Sequence, residues 1–272
     1  MKRFLNSYPN LLTDVQNELA RRDAIRFVEQ QEFEPDEWQR KVLKWITTSI
    51  GNEQGKNLIL NCARQSGKST ISAKAAHYVA ETKENSLTIL ISPSQRQSSE
   101  LFKKVKESMA ETPNPPELSE DNLLSCQFKS NGSRILALPG SEKTIRGFSG
   151  ADLIIEDEAA RVADELYMAI RPMLAVSKGK LILMSTPFGK RGHFYEAWDK
   201  GGDAWERIKV TAEENPRISK EFLEEERKAM GKWWFMQEYM CEFLDPIDSV
   251  FSYDTIMAAL SEEIQPLFNF GD

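Results

Sequence analysis

The stretch Leu58–Thr70, "LILNCARQSGKST", decides how the rest of the chain is read. It begins in a short apolar run of strand length, "NLILNC", and opens into "KSTISAKAAHYVAET", a helix-forming segment. Between them, Gly67, Lys68 and Ser69 supply the second half of the phosphate-loop pattern G-x-x-x-x-G-K-[ST]. The first glycine position holds Cys62 instead, and Arg64 sits inside the loop. The triplet alone is a weak signal, but its setting is the required one. A loop between a strand end and a helix start offers backbone N–H groups and the positive helix end to an anion. In such a loop Lys68 can reach the β- and γ-phosphates of a nucleotide, and the Ser69 hydroxyl can ligate Mg²⁺. The competing reading is a lysine and a serine capping an ordinary helix.

Four further segments bear on that choice. In "DLIIEDEAAR", three apolar residues, Leu153 to Ile155, run toward Asp157 and Glu158. A carboxylate at a strand end can hold the water shell of Mg²⁺, and the next can polarise an attacking water. A solvated helix start would have the same composition. Glu156 breaks the apolar run, and the sequence assigns it no role. "LILMSTPFG" places Ser185 and Thr186 at a strand end, where ligands bind outside the carboxyl edge of a parallel sheet. A hydroxyl there could sense the γ-phosphate; a plain strand stop at Pro187 is the alternative. In "FEPDEWQ" the Gln39 amide can pair with the donor and acceptor of adenine, with Phe33 or Trp38 stacked on the base. A helix with aromatic core contacts reads equally well. Finally, "SEKTIRGFSG" carries Arg146 on a Gly- and Ser-rich stretch just before the acidic strand. An arginine there could neutralise charge at a phosphoryl transition state, and such a finger can come from a neighbouring subunit.

The bulk numbers narrow the field. The 272 residues suit one large α/β domain or two smaller ones, and a hydrophobic content of 40% supports a sizeable core. Net charge is −7, so any contact with nucleic acid is local rather than global. Apolar runs are strand-sized, too short for a membrane span. "MKRFLNSYPN" lacks the apolar core of a signal peptide. Cys62, Cys126 and Cys241 are too scattered for a disulfide framework or a C-x-x-C site, and only His77 and His193 are present. Chemistry then falls to carboxylates, lysine, arginine and a bound ion.

Along the chain, helix-prone residues 11–31 and a helix after Pro35 precede the loop. "SLTILIS", "ADLIIEDEA", "KLILMSTP" and "AWERIKVTA" read as strands, and "QRQSSELFKKVKESMAE" as an amphipathic helix. "TPNPPELSEDN" reads as a Pro-rich surface loop, and "CQFKS" and "SRILALPG" as a hairpin about "NG". "SKEFLEEERKAM" and "KWWFMQEYMCEF" read as two helices, with a boundary near Phe243. Strands alternating with helices point to a parallel sheet covered on both faces.

Taken in order, "FEPDEWQ", "ARQSGKST", "SPSQRQSSELF", "TIRGFSG", "LIIEDEA" and "STPFG" resemble the ATPase domain of the large terminase subunit, the DNA-packaging motor of tailed bacteriophages. The likeness covers roughly Glu32 to Phe243 and includes an arginine within a phosphate loop that lacks its first glycine. It implies an α/β fold: a P-loop NTPase of the additional-strand catalytic-glutamate type, with a mainly parallel sheet, helices on both faces and a small lid subdomain. On this pattern residues 1–32 are an N-terminal helical extension, 33–210 the ATPase core, 211–244 the helical lid and 245–272 a linker. The resemblance implies that Glu158 is the catalytic glutamate, with Lys68, Arg64 and the trans-acting finger Arg146 assisting. It implies a nucleotide held by Gln39, Arg64, Gln65, Ser66, Gly67, Lys68, Ser69, Thr70, Asp157 and Thr186, with Ser185 in the coupling motif. Ser69 and Asp157 would ligate the metal. The cofactors implied are ATP and Mg²⁺. The partners implied are double-stranded DNA, the portal protein and the small terminase subunit. The domain would be a monomer in isolation and a homo-oligomeric ring on the procapsid, in the host cytoplasm and without a membrane. Large terminases carry a nuclease domain after the ATPase. Only about thirty residues follow Phe243, so a fragment without DNA cutting is expected.

Two other readings stay open on the residues alone. A helicase-like or other P-loop ATPase acting on nucleic acid would need a second core, for which 272 residues leave no room. A nucleotide-binding scaffold without turnover sits poorly with the presence of Lys68, Asp157 and Glu158. For DNA, the basic groups are Arg96, Lys103, Lys104 and Lys106 on one predicted helix, and Lys190 and Arg191 after the coupling motif. A solvated helix face is the plainer reading.

Overall fold

The computed structural model describes residues 9–140, 147–245 and 259. Helices α1 (Pro9–Arg22), α2 (Ala24–Glu29) and α3 (Glu37–Ser49) precede strand β1 (Asn57–Cys62). The chain continues through α4 (Lys68–Thr82), β2 (Leu87–Ser92), α5 (Gln95–Ala110), β3 (Leu118–Asp121), β4 (Ser125–Phe128), β5 (Arg134–Pro139) and β6 (Leu153–Asp157). It closes with α6 (Asp164–Ile170), β7 (Lys180–Ser185), α7 (Gly192–Lys200), β8 (Trp205–Val210) and α8 (Lys220–Glu238).

One eight-stranded sheet results, in the order β3-β4-β5-β2-β6-β7-β1-β8. From β5 to β8 every neighbouring pair is parallel, while β3 and β4 add an antiparallel edge. β7 lies between the phosphate-loop strand β1 and the acidic strand β6. This is the additional strand expected of the fold class. Strands β2, β6 and β7 are buried along their whole length, which is why their apolar residues run together rather than alternate, with Glu156 and Asp157 as the buried acids that end the run in β6. On one face Leu58, Leu60, Ile155 and Met184 pack with Ile71, Val79, Phe102 and Val105 of α4 and α5. On the other, Ile59, Ile89, Ile154 and Leu183 pack with Leu166 and Ile170 of α6 and Phe194 of α7. A small third cluster joins Ala63 of the loop to Ala212, Leu223, Phe235 and Cys241.

Several expectations need adjustment. The helix-prone stretch 11–31 breaks at Asp23, whose carboxylate accepts from the Ile25 N–H at 2.9 Å and starts a new helix. The Pro-rich stretch 112–122 is not all loop. Leu118–Asp121 forms β3, because β4 offers a partner that local composition cannot reveal. The hairpin about Asn131–Gly132 forms as read. The two predicted C-terminal helices form as read, meeting in α8 at a kink at Gly231 (φ 76°, ψ 165°), although the second stops at Glu238 instead of reaching Phe243. Residues 159–200 hold α6 and α7, which the periodicity leaves unread.

Candidate active site

Parallel strands aim their carboxyl ends in one direction, and the loops leaving them meet there. Cys62 ends β1, Asp157 ends β6 and Ser185 ends β7. The Thr186 hydroxyl ties two of these ends together, donating to the Cys62 carbonyl at 3.0 Å. Cys62 itself is fully buried, and burial pushes its thiol pKa up to about 12, so it serves as the strand's end rather than as a nucleophile.

Beyond Cys62 the loop turns through left-handed backbone at Gln65 (φ 57°) and Gly67 (φ 92°) before α4 begins at Lys68. A side chain at Gly67 would stand 3.1 Å from the Gln39 amide nitrogen. Lys68 is almost wholly buried, and its Nζ lies 3.0 Å from Glu158 Oε1. Burial works against the Lys68 charge, but the Glu158 and Asp157 carboxylates outweigh it and hold its pKa above the ordinary lysine value. Burial also raises the Asp157 pKa, to about 6, only partly offset by Lys68. Asp157 accepts the Glu158 N–H at 3.0 Å, and the Ser185 hydroxyl lies 3.5 Å from Glu158 Oε2. The structure thus brings Lys68, Asp157, Glu158, Ser185 and Thr186 to one sheet edge. Ser69 and Thr70 are half-buried on the first turn of α4.

Gln39 is buried, and its carbonyl oxygen accepts the Asp36 N–H at 2.9 Å in a capping box that starts α3. Its amide nitrogen faces Gly67. Phe33 lines a cavity of about 110 Å³ with Thr70, Lys74 and Lys104, whereas Trp38 belongs to the core. Arg146 lies outside the described residues.

Other neighbours of the site could not be read from local pattern. Arg64 donates through Nε to Glu238 of α8 at 2.5 Å. Arg161 lies 3.7 Å from the other Glu238 oxygen and 4.0 Å from Glu158. Lys104, expected on a basic face, instead turns to the Thr70 hydroxyl at 3.4 Å. Lys106 pairs with Asp121, which leaves Arg96 and Lys103 as the exposed basic residues of α5. Lys190 lies 3.7 Å from Asp245, and the Arg191 guanidinium sits 4.6 Å over the Phe188 ring. Glu156, left without a role by the sequence, is fully buried and bonds His193 Nε2 at 3.0 Å.

These groups fit a nucleotide triphosphate with its magnesium. The loop surrounds a helix N-terminus with a buried lysine at its first residue. Asp157 is a carboxylate whose charge burial disfavours, and a cation would relieve it. Among the described residues no group of three or more His, Cys, Asp or Glu is arranged as a metal cage. A hydroxyl and one carboxylate are the donors Mg²⁺ uses when phosphates and waters complete its shell. No described helix is long and apolar enough to cross a membrane.

Known proteins resemble this chain in sequence and fold. The family "Terminase large subunit, T4likevirus-type, N-terminal" matches residues 59–257. The large terminase subunit of Escherichia phage T5 is 35% identical over 99 residues, which is 34% of this chain and 22% of that one. The match therefore spans about a fifth of that relative's length. Among solved structures, the large terminase ATPase domain of Thermus phage P74-26 superimposes with a TM-score of 0.70 at 22% identity, covering 82% of this chain and 99% of that one. A thermophilic bacteriophage large terminase solved with ADP gives 0.65 at 16% identity, covering 76% and 53%. Both share the fold described above. With the family match extending over most of its length, the chain belongs to the T4-like terminase large subunit family, in the N-terminal part of that family's protein.

Proposed function

We propose that this chain is a Mg²⁺-dependent ATPase that drives double-stranded DNA into a viral procapsid. The observation that carries the reading is the pairing of buried Lys68 with half-buried Glu158 at 3.0 Å beside Asp157, at the mouth of a phosphate-loop fold. In this reading Lys68 exchanges Glu158 for the β- and γ-phosphates when the nucleotide enters. Glu158, freed from its partner, accepts a proton from the attacking water. Bound Mg²⁺ would neutralise phosphate charge, held by Ser69 and Asp157. Ser185 and Thr186 report the state of the γ-phosphate to the segment after β7, since one of them already touches Glu158 and the other the end of β1. Gln39 reads the adenine edge while Phe33 flanks the base. Gln65, Ser66 and Gly67 wrap the phosphates, Thr70 closes the cradle, and Arg64 turns from Glu238 to the γ-phosphate.

Residues 33–210 form the catalytic core and 211–244 a lid, with an N-terminal extension before them. Arg146 of a neighbouring subunit completes the site in a ring on the portal, which the small terminase subunit loads with DNA in the host cytoplasm. Arg96, Lys103, Lys190 and Arg191 are the basic groups offered to DNA. The test is Glu158→Ala, which should abolish phosphate release from Mg·ATP while calorimetry still shows nucleotide binding. Normal turnover in that variant would remove Glu158 from the role of base.

A further inference from the structure

The phosphate loop is gripped from outside by a turn that no motif reading singled out. Asn215 is buried, and its Nδ2 donates to the Gln65 carbonyl at 3.0 Å. Arg217 donates through one terminal nitrogen to the next carbonyl, Ser66, at 3.1 Å. The turn locks itself, because Asn215 Oδ1 accepts the Arg217 N–H at 3.0 Å. Arg217 also forks onto Asp36, at 3.2 and 2.7 Å from its two carboxylate oxygens. Asp36 caps α3, and its own N–H is held by Gln39.

Peptide planarity gives this grip a consequence. In a trans peptide the C=O and the following N–H point in opposite directions, and every described peptide here is trans. Two carbonyls drawn outward to Asn215 and Arg217 therefore turn the N–H groups of Ser66 and Gly67 inward. Among the described residues, neither N–H has a hydrogen-bond acceptor. Successive inward N–H groups across left-handed turns form an anion nest.

We propose that Asn215 and Arg217 are positioning residues for the phosphate loop, and that they aim its N–H groups at the phosphates of a nucleoside di- or triphosphate. This rests on the nucleotide-binding reading above. Arg217 also joins the two ends of that site, because its fork on Asp36 fixes the cap in which Gln39 is held. Neither side chain touches a reacting atom, so both should govern affinity rather than the chemical step.

Titration calorimetry of the 272-residue chain with Mg·ADP and Mg·ATPγS tests this, with phosphate release measured in parallel. Arg217→Ala is expected to weaken binding about tenfold, the scale of one charge-assisted hydrogen bond, and to raise KM with kcat changed by no more than about threefold. Asn215→Ala should act in the same direction. Arg217→Lys keeps a donor for Ser66 but loses the fork on Asp36, and should fall between. Wild-type affinity in both Asn215→Ala and Arg217→Lys would overturn the proposal, and these two variants carry the test if Arg217→Ala does not fold. A loss of affinity that merely follows a loss of folded protein in melting curves would also overturn it. A wild-type chain that binds neither nucleotide would instead sink the underlying function.

Discussion

Glu158 stands at φ 53°, ψ 40°, a left-handed conformation that costs a residue with a side chain about 1–2 kcal/mol. The turn follows the last residue of β6 and places the carboxylate on Lys68 instead of continuing the strand direction. Strain of this kind persists where surrounding contacts over-determine it, here the bond from its N–H to Asp157 and the ion pair with Lys68. Gly67 is the second backbone position with a local constraint. Its φ of 92° disfavours any side chain, and a methyl group would press on the Gln39 amide at 3.1 Å. Gly67→Ala should cost about 1–2 kcal/mol in urea unfolding and weaken Mg·ADP binding by a larger factor than stability alone explains. Equal affinity for Mg·ADP in that variant and the wild type would remove Gly67 from the cradle.

At the scale of elements, β6 is joined to α6 and α7 by a polar clamp in which His193 and Glu156 are buried and Asp164 is exposed. His193, on α7, bonds Glu156 at 3.0 Å and Asp164 at 2.9 Å, with the Tyr167 ring stacked on it at 4.5 Å. Burial disfavours the imidazolium, yet the two carboxylates outweigh it and raise the His193 pKa above 6.5. A folded pKa above the unfolded one means stability that is fully present below about pH 6.5 and is lost as pH rises through the folded value. His193→Gln should therefore cost about 1–3 kcal/mol at pH 6, and the difference from wild type should shrink by pH 9. Urea melts at the two pH values measure it; a difference independent of pH would mean that the imidazole is neutral in the folded state. In α8, Gly231 takes φ and ψ open to glycine, which lets one element change direction midway. Gly231→Ala should lower stability by about 1–3 kcal/mol, read as a shift in the melting midpoint.

For the whole molecule, charge and assembly are the relevant scale. A net charge of −7 opposes non-specific coating of DNA, so in the proposed reading DNA binding should depend on few basic groups and fall with salt at a slope set by their small number. If a neighbour's Arg146 completes the proposed site, specific activity should rise with protein concentration, and Arg146→Ala should remove that rise. Activity strictly proportional to concentration, unchanged in Arg146→Ala, would exclude the trans finger.

The linear sequence determined the strand–loop–helix unit around Lys68, the acidic end of β6 and the hydroxyl end of β7. Each is encoded by local periodicity and by the residue types that a strand terminus requires. The alternation of such strands with helices implied a parallel sheet, because parallel neighbours need a crossover between them. The tertiary structure places β7 between β1 and β6, as the family resemblance but no local pattern implied. It alone decided that Glu238 meets Arg64 across 174 residues and that Arg217 holds Ser66 across 151. It also turned Lys104 from the basic helix face toward Thr70, and gave Glu156 a partner in His193. Such pairs leave no periodic trace, since a side chain's partner is set by how the elements stack. Local pattern therefore identifies the groups proposed to face the phosphates, while packing selects the groups that hold them in place.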